Sequence, residues 1–226
     1  MTSASTSVSD AIRQRHSVRA FLPTSVEEKL IHDILDDARF APSGVNTQPW
    51  QIAVVSGETK TQLQNKMVAA FEAGETGQMD YQYYPKNWVA PFKQRRVTTG
   101  VALYNALKIE REDKAARLAQ WAANYRSFDA PVSLFFFMDS SLETGSYFDY
   151  GMFVQNIMLL AVEKGLATCP QGALGEYPTI IKQHLGYDND MILLGGMALG
   201  YEDKEHPVNS YRTEREAVND FTRFFN

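Results

Sequence analysis

One cysteine, Cys169, is all that the 226 residues contain, so no intramolecular disulfide can form. No Cys-x-x-Cys or His-Glu-x-x-His spacing exists either, and no metal ion is expected. Long hydrophobic runs are also missing. The longest strictly apolar run is the six residues Ile157 to Val162, far short of the roughly 20 needed to cross a bilayer, so no membrane association is expected. The start MTSASTSVSD carries neither a basic stretch nor an apolar core, and no secretory leader is readable, which makes the cytoplasm the expected compartment. Basic charge is in deficit: 22 Lys and Arg against 27 Asp and Glu give −5, with an isoelectric point near 5.4. A dense cationic face for nucleic acid is therefore not expected. The Gly-x-Ser-x-Gly elbow, the Walker loop, Gly-x-Gly-x-x-Gly and any readable carboxylate pair are all absent, which removes the standard nucleophilic, phosphoryl-transfer and Rossmann readings.

What the chain does have is ordinary globular usage, 44% apolar and 22% charged, with 13 Phe, 11 Tyr and 3 Trp. That many rings demand a core, a subunit interface or a pocket for a flat ligand. The length suits one domain over residues 1–226 with an elaborated insert at about 72–124. A Ser/Thr-rich arm of nine residues precedes a short helix through Asp10 to Arg13. Ser25-Val26-Glu27-Glu28 has the form of a capping box, so a helix should begin there and run to a stop before Pro42. Trp50 to Val55 predicts a strand and Glu58 to Phe71 a helix. Helical pattern returns from Lys93 to Asn124, with a break near 108–113. Pro131 to Met138 and Met191 to Leu199 predict strands buried on both faces. Phe148 to Lys164 predicts a helix apolar around most of its girth, ended by Gly165. A short helix from Thr179 closes at Gly186, and Glu214 to Phe225 predicts an amphipathic C-terminal helix. About four strands and seven or eight helices imply an α+β or α/β layered fold.

Few residues suggest chemistry. His16, His32, His184 and His206 are scattered, and Cys169 beside Pro170 has the setting of an inert buried thiol. Arg13, Arg15 and Arg19 fall within seven residues around Ser17, a group that either binds phosphate through guanidinium forks or simply solvates a helix end. Arg212 and Arg215 form a second basic pair near the C-terminus, and two such segments can clamp a phosphate between them.

Arg15-His16-Ser17-Val18-Arg19-Ala20-Phe21, followed by Ala41-Pro42-Ser43-Gly44-Val45-Asn46-Thr47-Gln48-Pro49-Trp50, resembles the opening signature of the FMN-dependent nitroreductase family. Asn124 before Ala130-Pro131, then Cys169-Pro170-Gln171-Gly172 and Gly196-Met197-Ala198-Leu199-Gly200-Tyr201, extend the likeness over nearly the whole chain. The resemblance implies an α+β fold with a mixed central sheet flanked by helices, in an entwined homodimer with two FMN molecules in the interface. It implies that Arg15 and Ser17 hold the FMN phosphate, closed by Arg215 and Arg212, with His16 acting through its backbone. Arg19 matches the family's cation at the flavin pyrimidine edge, a redox-tuning role. Asn124 matches its amide to the ring or ribityl chain. Pro42, Ser43 and Asn46 would reach the flavin from the partner subunit, and Pro170, Gln171 and Gly172 would cover one ring face, a backbone N–H there donating to N5. Outside the family context Pro42, Asn46 and Gly172 read as turn residues. The implied reaction is ping-pong hydride transfer from NAD(P)H through the flavin to nitroaromatics or quinones, with no protein nucleophile. Another acceptor such as an enone, halogenated aromatic or flavin, and a flavin-binding dimer without turnover, stay open. Tyr81, Tyr83, Tyr84, Trp88 and Phe92 either line an acceptor pocket or pack the insert.

Overall fold

The computed structural model describes residues 6–225, so most of the expected N-terminal arm, residues 1–5, lies outside it. Among the described residues, four strands form one sheet in the order β1-β2-β4-β3: β1 Gln51–Ser56, β2 Val132–Asp139, β3 Ala167–Gln171 and β4 Met191–Gly200. Strand neighbours pair antiparallel. The parallel component of the sheet is the isolated bridge from Ser17 to Thr168 on β3.

The continuous apolar run of β2 is explained by its central place, since a strand covered on both faces has no solvent side to fill with polar residues. Its even-numbered residues Leu134, Phe136 and Met138 pack with α2 (Glu28–Ala38) and α6 (Thr144–Glu163) through Ile31, Ile34, Phe153 and Ile157. Its odd-numbered Phe135 and Phe137 pack with α3 (Gly57–Glu72) and α7 (Pro178–Leu185) through Leu63, Met67 and Ile181. The period of two along the strand thus builds a helix–sheet–helix sandwich. Between Phe136 and Phe137 the register slips, because Leu194 of β4 has no partner on β2: Phe136 faces Gly195 and Phe137 faces Leu193.

Helix α1 spans Val8–Gln14, capped by the Ser7 hydroxyl, so the end of the expected arm is helical. The capping box does not form. The Glu27 carbonyl already accepts the N–H of Leu30 and Ile31, which starts α2 beyond the reach of Ser25. The patterned stretch 93–124 divides into α4 (Phe92–Ala106) and α5 (Lys114–Ala122). The largest correction is at the C-terminus, where only α8 (Val218–Phe221) is helical instead of Glu214 to Phe225. Glu216 is held by Arg95 at 2.8 Å, and Phe221, Phe224 and Phe225 are exposed, so among the described residues no surface receives the apolar face that so short a helix needs.

Candidate active site

The last turn of α1 carries Arg13, and at Arg15 the backbone leaves helical geometry to lie beside β3. There the Val18 N–H donates to the Thr168 carbonyl at 3.0 Å and Val18 is buried. Extended backbone sends alternate side chains to opposite sides. Arg15, Ser17 and Arg19 accordingly line one cavity. The His16 ring turns to Glu202, its Nε2 3.0 Å from Oε1, leaving its backbone at the cavity wall. Asn209, which the sequence reading did not single out, brings in the second basic segment. Its Oδ1 accepts the Arg19 N–H at 2.8 Å, while Nδ2 donates to the carbonyls of Ala20 and Asp203. Just beyond it, Tyr211, Arg212, Thr213 and Arg215 close the cavity.

The result is a space of about 740 Å³ lined by five arginines (Arg13, Arg15, Arg19, Arg212 and Arg215) and, among the described residues, by no carboxylate. Burial, and then the neighbouring Arg215, push the Arg15 guanidinium below the ordinary arginine range. Arginine stays charged regardless, so the cavity holds uncompensated positive charge, the setting an anion would relieve. Arg19 Nη1 donates to the Ser17 carbonyl at 3.2 Å and to the Tyr211 hydroxyl at 3.1 Å, which places Arg19 on the wall of this cavity.

A second cavity, about 290 Å³, sits where β3 ends. Pro170, Gln171 and Gly172 form one wall with Gly195 and Gly196 of β4; Phe136, Tyr150, Gly151 and Val154 form another; Tyr81, Tyr83 and Tyr147 complete it. Gln171 donates from Nε2 to the Asn124 carbonyl at 3.0 Å and to its Oδ1 at 3.3 Å, which joins the two predicted amides. Two buried side-chain atoms of β3 have no partner among the described residues, Gln171 Oε1 and Thr168 Oγ1. A buried polar atom without a partner carries a desolvation cost, and such groups call for a ligand or water.

Pro42, Ser43 and Asn46 are not at either cavity within one chain. Pro42 instead lines a third hollow over α6 with Tyr147, Phe148 and Gly151. Its loop is tied down by the Gly44 N–H to Asp149 Oδ2 at 3.0 Å and the Gln48 N–H to Ser43 Oγ at 2.9 Å. Val45 and Asn46 hold φ of 46° and 61°, conformations that cost energy for a β-branched residue and persist only where surroundings impose them. Gly151 lines both this hollow and the aromatic cavity, and Gln155 both this hollow and the basic one. Helix α6 therefore stands between the three.

Three of the other candidates for chemistry, Cys169, His184 and His206, are accounted for structurally, and His32 lies exposed on α2. Burial pushes the Cys169 thiol up to about 11, so it stays protonated at neutral pH. His184 Nε2 lies 3.1 Å from the Thr59 carbonyl, and His206 Nδ1 accepts the Val208 N–H. What remains is a cationic cavity whose Arg15 to Arg19 segment is bridged to β3 at Thr168, and an aromatic slot where β3 ends. That pairing suits an elongated ligand with an anionic end and a planar end.

Comparison with known proteins points the same way. The profile of the Nitroreductase family matches residues 12–201. A 4-nitrobenzoate reductase of Pseudomonas putida is 38% identical over 94% of this chain and 93% of its own length. The crystal structure of an FMN and NADPH-dependent nitroreductase, NfnB, from Sphigopyxis sp. strain HMH superposes with a TM-score of 0.95 at 40% identity, covering 97% of this chain and 99% of that one. An FMN-dependent NfnB from Mycobacterium smegmatis, in complex with NADPH, gives 0.92 at 31% identity, covering 96% and 97%.

Proposed function

The chain belongs to the nitroreductase family, and from that premise we propose that it is an FMN-dependent enzyme passing hydride from NADPH or NADH to nitroaromatic or quinone acceptors. The observation that carries this reading is the five-arginine cavity, lined by no carboxylate among the described residues, together with an aromatic slot, each sharing a residue of α6 (Gln155 and Gly151) with the hollow beside Pro42. These residues fit the cofactor: the arginines match a phosphate, and the aromatic slot matches a planar ring system. When bound, FMN supplies the two-electron chemistry, taking hydride at N5 and giving it up again.

The protein's part is binding, orientation and charge. Arg15, Arg212 and Arg215 would neutralise the phosphate and Ser17 would donate to it, with His16 lending its backbone. Asn124 and Gln171 act as one amide pair, Gln171 donating to Asn124. Pro170 and Gly172 would cover one face of the ring, and backbone N–H groups at 171–172 would be the donors toward N5. Tyr81, Tyr83 and Tyr147 give an electron-rich wall on which an electron-poor nitroarene stacks. Reductant and acceptor take turns at this wall, and no protein nucleophile takes part. Arg19 keeps a fixed positive charge in the site, which favours the more negative reduced flavin. Arg19→Gln should lower the two-electron potential by about 30 mV for each ~1.4 kcal/mol of lost interaction. Potentiometry on the variant, beside FMN titration, checks this; an unchanged potential with weakened FMN binding makes Arg19 a phosphate ligand only.

Pro42, Ser43 and Asn46 complete the site from a second copy of the chain in a homodimer. Helix α4 buries none of its residues, and Val97, Val101 and Phe148 are exposed, Phe148 by 75%. Apolar surface of that extent is what an obligate interface covers. Light scattering on micromolar holoprotein should give twice the 25.5 kDa chain mass; a flavin-loaded monomer would remove the shared site. We place the enzyme in the cytoplasm, as a single domain with 72–124 as its variable part.

The reaction is tested by anaerobic reduction of FMN-loaded protein with NADPH and NADH, followed by a panel of acceptors. Rapid flavin bleaching and reoxidation by a nitroarene is expected. Bleaching without nitroarene or quinone use moves the reading to another acceptor, and flavin that neither nicotinamide reduces overturns it.

A further inference from the structure

Strand β4 outruns its neighbour. β3 ends at Gln171, opposite Gly196, so on that side Leu193 and Leu194 have no strand to pair with, and the bulge leaves Leu194 without a β2 partner as well. Backbone groups freed this way must find other partners. The Leu193 N–H donates to Asp80 Oδ2 at 2.8 Å, and the Leu194 carbonyl accepts from the Tyr81 hydroxyl at 2.8 Å. The same Asp80 oxygen lies 2.8 Å from Nζ of Lys182, whose side chain is only 5% exposed. Around these contacts the Gln78 N–H donates to the Glu176 carbonyl, and the Tyr177 hydroxyl donates to the Glu75 carbonyl. Residues 75–81 are thus fastened where β3 would have continued.

The rings that follow lean on this fastening. Tyr147 of α6, Tyr81, Tyr83, Tyr84 and Trp88 form a chain of edge and tilted contacts with centroids 4.6 to 6.0 Å apart. The Tyr83 ring lies against Gly172, so close that a Cβ there would come within 3.1 Å of it. Lys182 is the buried member of the pair, its side chain 5% exposed against 22% for Asp80, so removing the carboxylate leaves a buried ammonium without its charge partner.

We propose that Asp80 and Lys182 are positioning residues for the acceptor. Their ion pair, seated on the β4 bulge, fixes where the tyrosine wall stands at the aromatic cavity that takes a flat acceptor. This rests on the reductase reading above. Neither Lys182 nor Asp80 lines the aromatic cavity, and neither reaches the basic one, so their influence passes through the neighbours they hold, Tyr81 and Tyr83 on one side and the Leu193–Leu194 backbone on the other.

The test uses FMN-loaded Asp80→Ala and Lys182→Met with a nitroarene acceptor. Misplacing a binding wall by about 1 Å can cost up to a hundredfold, and for Asp80→Ala we expect KM for the nitroarene to rise about tenfold, with kcat and the FMN dissociation constant within about twofold of the parent. Lys182→Met should move KM in the same sense by a smaller factor, since the Asp80 carboxylate keeps its bond to Leu193. Should Asp80→Ala fail to fold, Lys182→Met decides. A KM unchanged in the variants, with only a lower melting temperature, overturns the positioning role. Parent enzyme that fails to reduce the nitroarene overturns the reductase reading instead.

Discussion

Arg15→Ala is expected to weaken FMN binding by about 2 kcal/mol, near thirtyfold, and the double change with Arg215→Ala by more, because charge-assisted hydrogen bonds to a dianion are each worth roughly 1.5–3 kcal/mol. The free protein should respond in the other direction. Arg15 is partly buried and faces Arg215, an arrangement that lowers its proton affinity when no anion intervenes. Removing one of two facing cations relieves that repulsion, so apoprotein carrying Arg15→Ala should melt no lower than the parent. The stabilisation gained on adding FMN should shrink, since it follows from affinity by mass action. Fluorescence titration of apoprotein and melting with and without FMN measure both sides. Unchanged affinity in both single variants would remove the phosphate from this cavity.

Gly195→Ala should cost about 2–5 kcal/mol of folding stability, the combined scale of left-handed strain and overpacking. Gly195 holds φ of 137°, and an added Cβ would come 2.9 Å from the Gln171 carbonyl oxygen. Neither obstacle can yield cheaply: the first belongs to the bulge and the second is backbone. Any relief must come from β3 moving away, and β3 carries the Pro170 to Gly172 wall. The variant should therefore lose ring binding as well as urea resistance. Gly145→Ala is the control, in the first turn of α6 with open space around the new methyl group, and should leave the midpoint unchanged or slightly raised. A Gly195→Ala midpoint equal to the parent would mean that the bulge relaxes at no cost.

The elements that sequence reveals are those whose signal is local. β2 and β4 announce themselves by apolar runs, and α6 by an apolar girth that one chain only half covers, with Phe148 left outside. β3 gives no such signal. Thr168-Cys169-Pro170-Gln171 neither alternates nor runs apolar, and Pro170 is tolerated because β3 is the outermost strand, where a missing N–H costs little. The C-terminal residues carry a true helical period that folding does not use within the chain. At the site, the arginine clusters are legible as charge, but the link between them is Asn209, whose value lies in contacts to Arg19, Ala20 and Asp203. Asp80 is illegible for the same reason: its partner is a bulge more than a hundred residues away, created by pairing and not by composition.

The parallel bridge between Ser17 and Thr168 has a second meaning. β3 is an outer strand, and an uncovered outer strand is a template on which another chain can add itself. The stretch that presents Arg15, Ser17 and Arg19 is also the strip that shields that template, held there by the Val18 N–H and the burial of its side chain. The proposed anion grip and the cover over that edge thus fall to the same few residues, so a change that loosens the strip bears on both.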